Sequence, residues 1–486
     1  MRRLLVVVLA VSSAACDDAV APGSDVDLRI VSPAAGDSVW DLDPLVLLGE
    51  ASAPAVGVLP DGFLWWTDNG DSIGGGRRVE TRAAAGRFVF HARPGELRDS
   101  VVRTLVVRPD GLGRLLWTAP LAEQVGGDPL RLLPDGRLVA RDAVYRIAVI
   151  AADGSVKLRY DLGTALVMGP PALAPDGHLV FGLIWGGPGG NGGALKWAPS
   201  GMVQWIFTTT DSGGFWPHHV HGGVAVDAAG NSYFTSEEGP APIWSVGPDG
   251  GYRWRTSTQP LGPAEFLGWT VLVGDSLAVA PWREDSIVAV STADGSLRWK
   301  AATGASLPLC QGEPAVGPSG TVYTMGPGWD RLVAISAAGT VLWDVPGVAS
   351  LNPLVSASRI YLAGPSGGVI TLSFDGGVLD TLGPPAGPGS AGASLAPGDV
   401  IYVAGPDSLV SLAADGTRRF AVAIPNALGV GCQPETSPVV GNDGTVYLRT
   451  AIGVMAFRDT VGPSTTAPWP TFQGNFQRTG RVATGN

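Results

Sequence analysis

The sequence has little lysine, little cysteine and little charge. Only 15% of its 486 residues are charged, and its 32 basic residues include just three lysines, Lys157, Lys196 and Lys300. The formal net charge is −11 and no basic run is present, so nucleic acid and anionic lipid surfaces are excluded as partners. The 45% hydrophobic content excludes a solvated disordered chain.

No apolar run reaches the roughly 18 residues that a membrane-spanning helix requires. The run Leu4–Val11 follows two arginines and precedes small residues that end at Cys16, a pattern typical of an export signal. That end resembles the lipobox of bacterial lipoproteins. Residues 1–16 are therefore predicted to be a signal peptide, with Cys16 lipidated and the mature protein anchored in the cell envelope. Cleavage without a lipid is the alternative.

Besides Cys16, the sequence contains only Cys310 and Cys432. Two thiols are too few for a disulfide scaffold. A single bridge between them requires Cα atoms within about 7 Å of each other. Two free, buried thiols are the alternative.

Glycine and proline, in contrast, are abundant, at 70 and 40 residues. Long helices tolerate neither, so the runs of Val, Leu, Ile, Trp and Tyr between them predict an all-β protein of short strands. Residues 25–108 predict a small β-sandwich of roughly seven strands, and they resemble the immunoglobulin-like domains of bacterial surface proteins. A solvated turn, with calcium ligation as the alternative, is expected at Asp68, Asn69 and Asp71.

From Pro109 onward the sequence repeats itself. One repeated marker is a turn followed by a β-rich run. Its eight occurrences begin at Asp135, Asp176, Ala229, Gly274, Ser319, Ser358, Gly398 and Asp443.

A second marker is a glycine with a large residue four positions later, which is expected on the buried face of the following strand. Its eight occurrences are Gly113 and Trp117, Gly154 and Leu158, Gly201 and Trp205, Gly250 and Trp254, Gly295 and Trp299, Gly339 and Trp343, Gly376 and Asp380, and Gly416 and Phe420.

Two hairpins in each repeat of about 40 to 50 residues make the four strands of a propeller blade. Residues 109–486 are therefore predicted to form an eight-bladed β-propeller. The glycine marker at Gly113 precedes the first turn marker, and the turn marker at Asp443 has no glycine marker after it. A ring explains this mismatch if strand Arg114–Thr118 completes the last blade.

Two segments, Ala289–Trp299 and Leu332–Trp343, resemble the tryptophan-docking repeat of propellers related to pyrroloquinoline quinone (PQQ) dehydrogenases. The segment Trp469–Gly480 is similar to one found at the ends of PQQ-like repeat proteins. The resemblance implies a PQQ-like propeller in which each tryptophan packs between neighbouring blades.

Within this superfamily the resemblance leaves two classes open. Quinoprotein dehydrogenases bind PQQ and a calcium ion, and many have adjacent cysteines, which this chain lacks. The other class is similar to the lipoprotein propeller of the outer-membrane barrel-assembly machinery, a scaffold without a cofactor. The export signal favours the second class.

Loops that enter the innermost strands of a propeller surround its central channel, so chemistry is expected there. Three such loops are unusual. The first contains three histidines that offer imidazoles to zinc or copper, with a hydrogen-bonded or solvated loop as the alternative. In the other two loops a glutamate follows a cysteine, and each glutamate is expected to bond the backbone, with cation ligation as the alternative. The candidate residues are Trp216, His218, His219, His221, Cys310, Gln311, Glu313, Cys432, Gln433 and Glu435.

The sequence thus favours a non-catalytic envelope lipoprotein that presents a propeller surface to a protein or ligand. A PQQ-dependent alcohol or sugar dehydrogenase and a metal-binding envelope protein are the alternatives. No catalytic residue is predicted, and no cofactor is expected outside the dehydrogenase alternative.

Overall fold

The computed structural model describes residues 27–33, 38–40, 45–53, 57–58, 63–81, 86–94, 100–108, 111–121, 130–143, 145–185, 192–209, 220, 223–236, 243–256, 269–282, 286–304, 314–326, 330–348, 352–364, 368–383, 392–425, 437–471, 474–475 and 479–481. The chain divides into two compact units, Met1–Arg114 and Leu115–Asn486. Apart from the short 3-10 helix Pro397–Asp399, the regular structure of the described residues is strand, which confirms the all-β prediction. No described helix is long and apolar enough to cross a membrane.

Unit 1 contains two sheets in its described residues. In the first sheet β3 pairs with each of the other three strands, and in the second the order is β2–β9–β8–β5–β6. The first contains β1 (Asp27–Ser32), β3 (Leu45–Ala53), β4 (Gly57–Val58) and β7 (Arg78–Thr81), and the second contains β2 (Ser38–Trp40), β5 (Phe63–Thr67), β6 (Ser72–Gly75), β8 (Gly86–Pro94) and β9 (Val101–Arg108).

One core joins the two sheets of unit 1. Alternate residues of β5 point inward, so Phe63 and Trp65 are buried while Leu64 between them is 45% exposed. Trp65 packs in one apolar cluster with Ile30 and Leu47 of the other sheet. Two sheets that share a core in this way fit the predicted sandwich; its immunoglobulin-like character stays a prediction.

The described residues of unit 2 form eight four-stranded antiparallel sheets, seven of which are continuous in sequence. Sheet 1 contains β11 (Arg131–Leu132), β12 (Leu138–Ala143), β13 (Arg146–Ile150) and β14 (Val156–Asp161); sheet 2, β15 (Ala165–Leu173), β16 (Leu179–Trp185), β17 (Gly192–Trp197) and β18 (Val203–Thr208); sheet 3, β19 (Ala225–Val226), β20 (Ser232–Thr235), β21 (Ile243–Val246) and β22 (Tyr252–Arg255); sheet 4, β23 (Val271–Val273), β24 (Leu277–Trp282), β25 (Ser286–Ser291) and β26 (Leu297–Ala302).

The next three sheets repeat this order. Sheet 5 contains β27 (Ala315–Val316), β28 (Val322–Met325), β29 (Arg331–Ile335) and β30 (Val341–Pro346); sheet 6, β31 (Pro353–Val355), β32 (Ile360–Ala363), β33 (Val369–Leu372) and β34 (Val378–Leu382); sheet 7, β35 (Gly392–Ala396), β36 (Val400–Ala404), β37 (Ser408–Leu412) and β38 (Arg418–Ala423).

Sheet 8 is built from both ends of unit 2. It contains β39 (Val439–Val440), β40 (Val446–Thr450), β41 (Gly453–Phe457) and β10 (Leu115–Pro120). Leu115 pairs with Phe457 and Pro120 pairs with Gly453 in an antiparallel ladder. The order of the repeat markers predicted this pairing, and the structure confirms it.

The sheets of unit 2 contact one another in succession. The first strand of each sheet contacts the first strand of the next, in the order β15, β19, β23, β27, β31 and β35. Sheets 1 and 2 share an apolar cluster, and Ser394 Oγ of sheet 7 donates to Pro438 O, 2.6 Å away, at the start of sheet 8. Sheet 8 contacts sheet 1 because Trp117 Nε1 donates to Ala152 O at 2.9 Å. The succession therefore closes on itself.

Five tryptophans of the second marker make the same type of contact between neighbouring sheets. Each lies on the fourth strand of its sheet and packs on the marker glycine of the next sheet, and the indole N–H donates to a carbonyl two or three residues before that glycine, at 2.9 Å in each case. The pairs are Trp117 with Ala152, Trp205 with Pro248, Trp254 with Thr292, Trp299 with Ala337, and Trp343 with Phe374. This is the packing between neighbours that the resemblance implies.

The marker at Gly376 departs from the pattern. Its fourth residue, Asp380, is exposed, whereas Leu382, two residues later, is buried. A Cβ atom on Gly416 of the next sheet would lie 3.4 Å from the Leu382 Cβ. Asp380 is the one of the eight marker residues that is not bulky and apolar, and on β34 the buried position is taken by Leu382 instead.

Replacing Gly295 by alanine is expected to cost more stability than the same change at Gly177. Both residues have positive φ, +73° and +81°, so alanine pays about 1–2 kcal/mol at either position. At Gly295 the new Cβ would also lie 2.5 Å from Trp254 Cε3, whereas at Gly177 nothing lies within 4 Å. The overlap adds about 1–3 kcal/mol. Urea unfolding of both variants measures the difference, and equal losses would show that the tryptophan contact is loose.

Candidate binding surface at the inner strands

Each loop with a predicted site residue leads into the first strand of a sheet. The histidine loop precedes β19, the Cys310 loop precedes β27 and the Cys432 loop precedes β39. The candidate residues themselves lie outside the described residues, so metal binding and the disulfide stay predictions. They are Trp216, His218, His219, His221, Cys310, Gln311, Glu313, Cys432, Gln433 and Glu435, and the same holds for Cys16.

The acidic turn of unit 1 lies within the described residues. Thr67 N donates to Asp71 O at 2.8 Å, and Asp71 N donates to Thr67 Oγ1 at 3.1 Å, as in a hydrogen-bonded turn. Asp68 Oδ1 lies 3.3 Å from His91 Nε2. Across the part of the chain that the structure describes, no group of three His, Cys, Asp or Glu side chains could hold a metal ion.

The inner strands instead hold a segment from the end of the chain. This segment, Trp469–Arg481, is called the tail below. It follows β41, the last strand of sheet 8, and pairs with the first strands of other sheets through isolated β-bridges. In sequence these residues resemble a segment found at the ends of PQQ-like repeat proteins. The local sequence pattern did not predict that they bind the first strands of other sheets.

Residues 469–471 of the tail lie on sheets 6 and 7. Val355 N donates to Trp469 O at 2.8 Å and Trp469 N donates to Val355 O at 3.0 Å, which makes a reciprocal bridge to β31. Leu395 N of β35 donates to Pro470 O at 2.6 Å. Two neighbouring first strands are thus bound by consecutive residues of the tail.

Residues 479–481 of the tail lie on sheets 3 and 4. Val226 N of β19 donates to Thr479 O at 2.9 Å, and Leu272 N of β23 donates to Gly480 O at 2.6 Å. The described residues of the tail therefore bond the first strands of sheets 6, 7, 3 and 4.

A buried carboxylate also joins sheets 7 and 8. Asp459 has no exposed side-chain surface and receives two hydrogen bonds from Arg419, of which Arg419 Nη2 to Asp459 Oδ1 is 2.7 Å. Tyr402 Oη donates to the same carboxylate at 2.8 Å. Burial and the Asp459 charge hold the pKa of the Tyr402 hydroxyl above its usual range, so this donor keeps its proton.

A second buried carboxylate, within sheet 1, binds an arginine that reaches sheet 8. Asp142 is fully buried and accepts hydrogen bonds from Arg146 Nε at 2.7 Å and Arg159 Nε at 2.9 Å. Arg159 Nη2 also reaches Pro120 O of β10 at 3.3 Å. The closing sheet is therefore held by a paired carboxylate on each side.

A third ion pair joins sheets 2 and 3. Lys196 Nζ, almost fully buried, lies 2.6 Å from Asp176 Oδ2 and donates to Pro248 O at 3.0 Å. Although partial burial of Asp176 opposes it, the hydrogen bond from Lys196 lowers the pKa of that carboxyl, so Asp176 is ionised at neutral pH. All three groups make bonds that connect neighbouring sheets, so we interpret them as structural.

Binding of PQQ with calcium stays an alternative prediction, because the loops that lead into β19, β27 and β39 lie outside the described residues.

Comparisons with known proteins support the propeller. A family profile described as outer membrane protein assembly factor BamB matches residues 239–380 and 283–474. No curated protein sequence matches the chain. The crystal structure of BamB from Moraxella catarrhalis has a TM-score of 0.53 at 15% identity, covering 71% of this chain and 99% of that one. The computationally designed Ika8 protein has a TM-score of 0.51 at 10% identity, covering 71% and 100%.

At these identities the two structures are similar to this chain in fold alone. Together with the family profile, they support a PQQ-like propeller in the second unit. The repeated markers predicted that architecture.

Proposed function

We propose that this protein is a non-catalytic binding protein of the cell envelope whose propeller presents its outer surface to a protein partner. The family profile described as an outer membrane protein assembly factor carries the proposal, since it matches the propeller from residue 239 to residue 474. The export signal and lipobox-like end at Cys16 favour the same location, with a lipid at Cys16 as the membrane anchor.

The outer strands of two neighbouring sheets offer a surface for that partner. Val341 and Leu342 of β30 are 43% and 51% exposed, and Val378 and Leu379 of β34 are 56% and 54% exposed. Four large apolar side chains are thus exposed on the fourth strands of two neighbouring sheets, and exposed apolar side chains of this kind are used in protein contacts. The partner expected here is a protein of outer-membrane assembly.

A photoreactive side chain at Leu342 or Leu379 is expected to cross-link to an envelope protein in intact cells, since an apolar patch at an interface lies against the partner. Met202, which directly precedes β18 and is 64% exposed, is the matched control and should not cross-link. Aspartate at both Leu342 and Leu379 should lower capture about tenfold, which corresponds to ~1.4 kcal/mol. Equal cross-linking at all three positions, or none at any, would contradict the proposal.

A further inference from the structure

We propose that the backbone edges of β19, β23, β31 and β35 form a binding site for an extended peptide, and that the tail is the resident ligand of this site. The inference concerns the inner strands and is independent of whether a partner binds the outer strands.

The four strands are available for such binding because each is the edge strand of its sheet. An edge strand carries backbone N–H and C=O groups that need partners, and an added extended peptide supplies them. The tail does this at every one of the four edges, from Val355 and Leu395 to Val226 and Leu272.

Side-chain recognition accompanies the backbone bonds. The Trp469 side chain is 1% exposed and packs in the apolar core with Val316 and Val355. Thr471 is fully buried, and its hydroxyl lies 2.8 Å from Ser394 Oγ. In β-strand addition the main chain supplies affinity and alternate side chains supply specificity, and Trp469 and Thr471 are such an alternate pair.

The far end of the site accepts only a small residue. A Cβ atom on Gly480 would lie 2.7 Å from Ala225 Cβ and 3.1 Å from Thr270 O. The preferred ligand is therefore an extended peptide with a tryptophan and a threonine near its start and a glycine near its end.

The tail behaves as a ligand and not as part of a sheet because the sheets are complete without it. β10 and β41 already close sheet 8, and the eight sheets contain no strand from the tail. The tail contributes isolated bridges to β23, β31 and β35 and one hydrogen bond to β19, instead of a ladder to one sheet. Its release would leave the ring closed and expose the four edges.

The experiment cuts the tail from the folded full chain. A protease recognition sequence is inserted between Thr465 and Thr466, which are both exposed, and the chain is cleaved after folding. A fluorescent synthetic peptide of residues 466–486 should exchange into the cut chain, as measured by anisotropy, and should not bind the uncut chain. The same peptide with Trp469→Ala or Gly480→Val should bind about a hundredfold more weakly, which is ~2.7 kcal/mol.

A second variant keeps the test valid if the cut chain unfolds. In the uncut chain, Trp469→Ala weakens the resident tail, so the unmodified peptide should compete for the site. Two results would overturn the proposal. One is equal binding of the peptide to uncut, unmodified chain and to cut chain; the other is failure of the peptide to bind either the folded cut chain or the Trp469→Ala chain.

Discussion

Replacing Asp459 by alanine is expected to lower the free energy of unfolding of unit 2 by about 3–5 kcal/mol, because Arg419 would keep a charge at a site with no remaining anion. The Arg419 side chain is only 16% exposed, so water can replace little of the lost carboxylate. Tyr402 would also lose the acceptor for its buried hydroxyl. The shift of the urea midpoint measures the loss.

Asp344 provides the matched control for this change. It pairs with Arg331 at 2.6 Å, but the two side chains are 38% and 32% exposed, so Asp344→Ala should cost less than about 1 kcal/mol. The double variant Arg419→Met with Asp459→Leu removes both charges and should recover most of the stability. A single variant as stable as the Asp344 control would show that the pair does not hold sheets 7 and 8 together.

Trp254→Ala is expected to lower the free energy of unfolding by about 3–5 kcal/mol, the usual cost of emptying a buried aromatic site. Trp254 is 6% exposed, lies against Gly295 of the next sheet and packs on the Tyr233 ring at 5.8 Å. Its indole N–H bond to Thr292 O would leave an unpaired buried carbonyl in the variant. Differential scanning calorimetry checks the expectation.

Trp205 makes the same contact one sheet earlier and is the control. It lies against Gly250 and donates to Pro248 O, but its side chain is only half-buried. Trp205→Ala should therefore cost clearly less than Trp254→Ala. If the two losses were equal, burial would not be what distinguishes the positions.

The sequence predicted the fold well because the repeats carry it in local patterns. Turns, glycines and β-rich runs recur at a regular spacing, and each pattern is short enough to act without its neighbours. Closure of the ring was predictable for the same reason. The glycine marker at Gly113 has no turn marker before it, and the turn marker at Asp443 has no glycine marker after it, so the two ends complete one sheet. The fold class and the pairing of β10 with β41 are accordingly confirmed.

The inner surface was not predictable, because its contacts join residues far apart in the chain. Nothing near Trp469 indicates that its backbone bonds Val355, and nothing near Asp459 indicates Arg419 or Tyr402. The exception at Asp380 arises where one exposed polar residue takes the marker position and Leu382 packs instead. Which residue of a strand packs against the next sheet depends on its three-dimensional surroundings and not on its spacing from the glycine.

The pairing of β10 with β41 also sets the order in which the protein can be made. More than three hundred residues separate the two strands, so β10 emerges early in synthesis and waits until nearly the whole chain has followed. During that interval the segment with Leu115 and Leu116 lacks the strand to which it will bond. Exposed apolar residues on an unpaired strand make a nascent chain prone to aggregation. Sheet 8 therefore cannot be completed before nearly the whole chain has been synthesised.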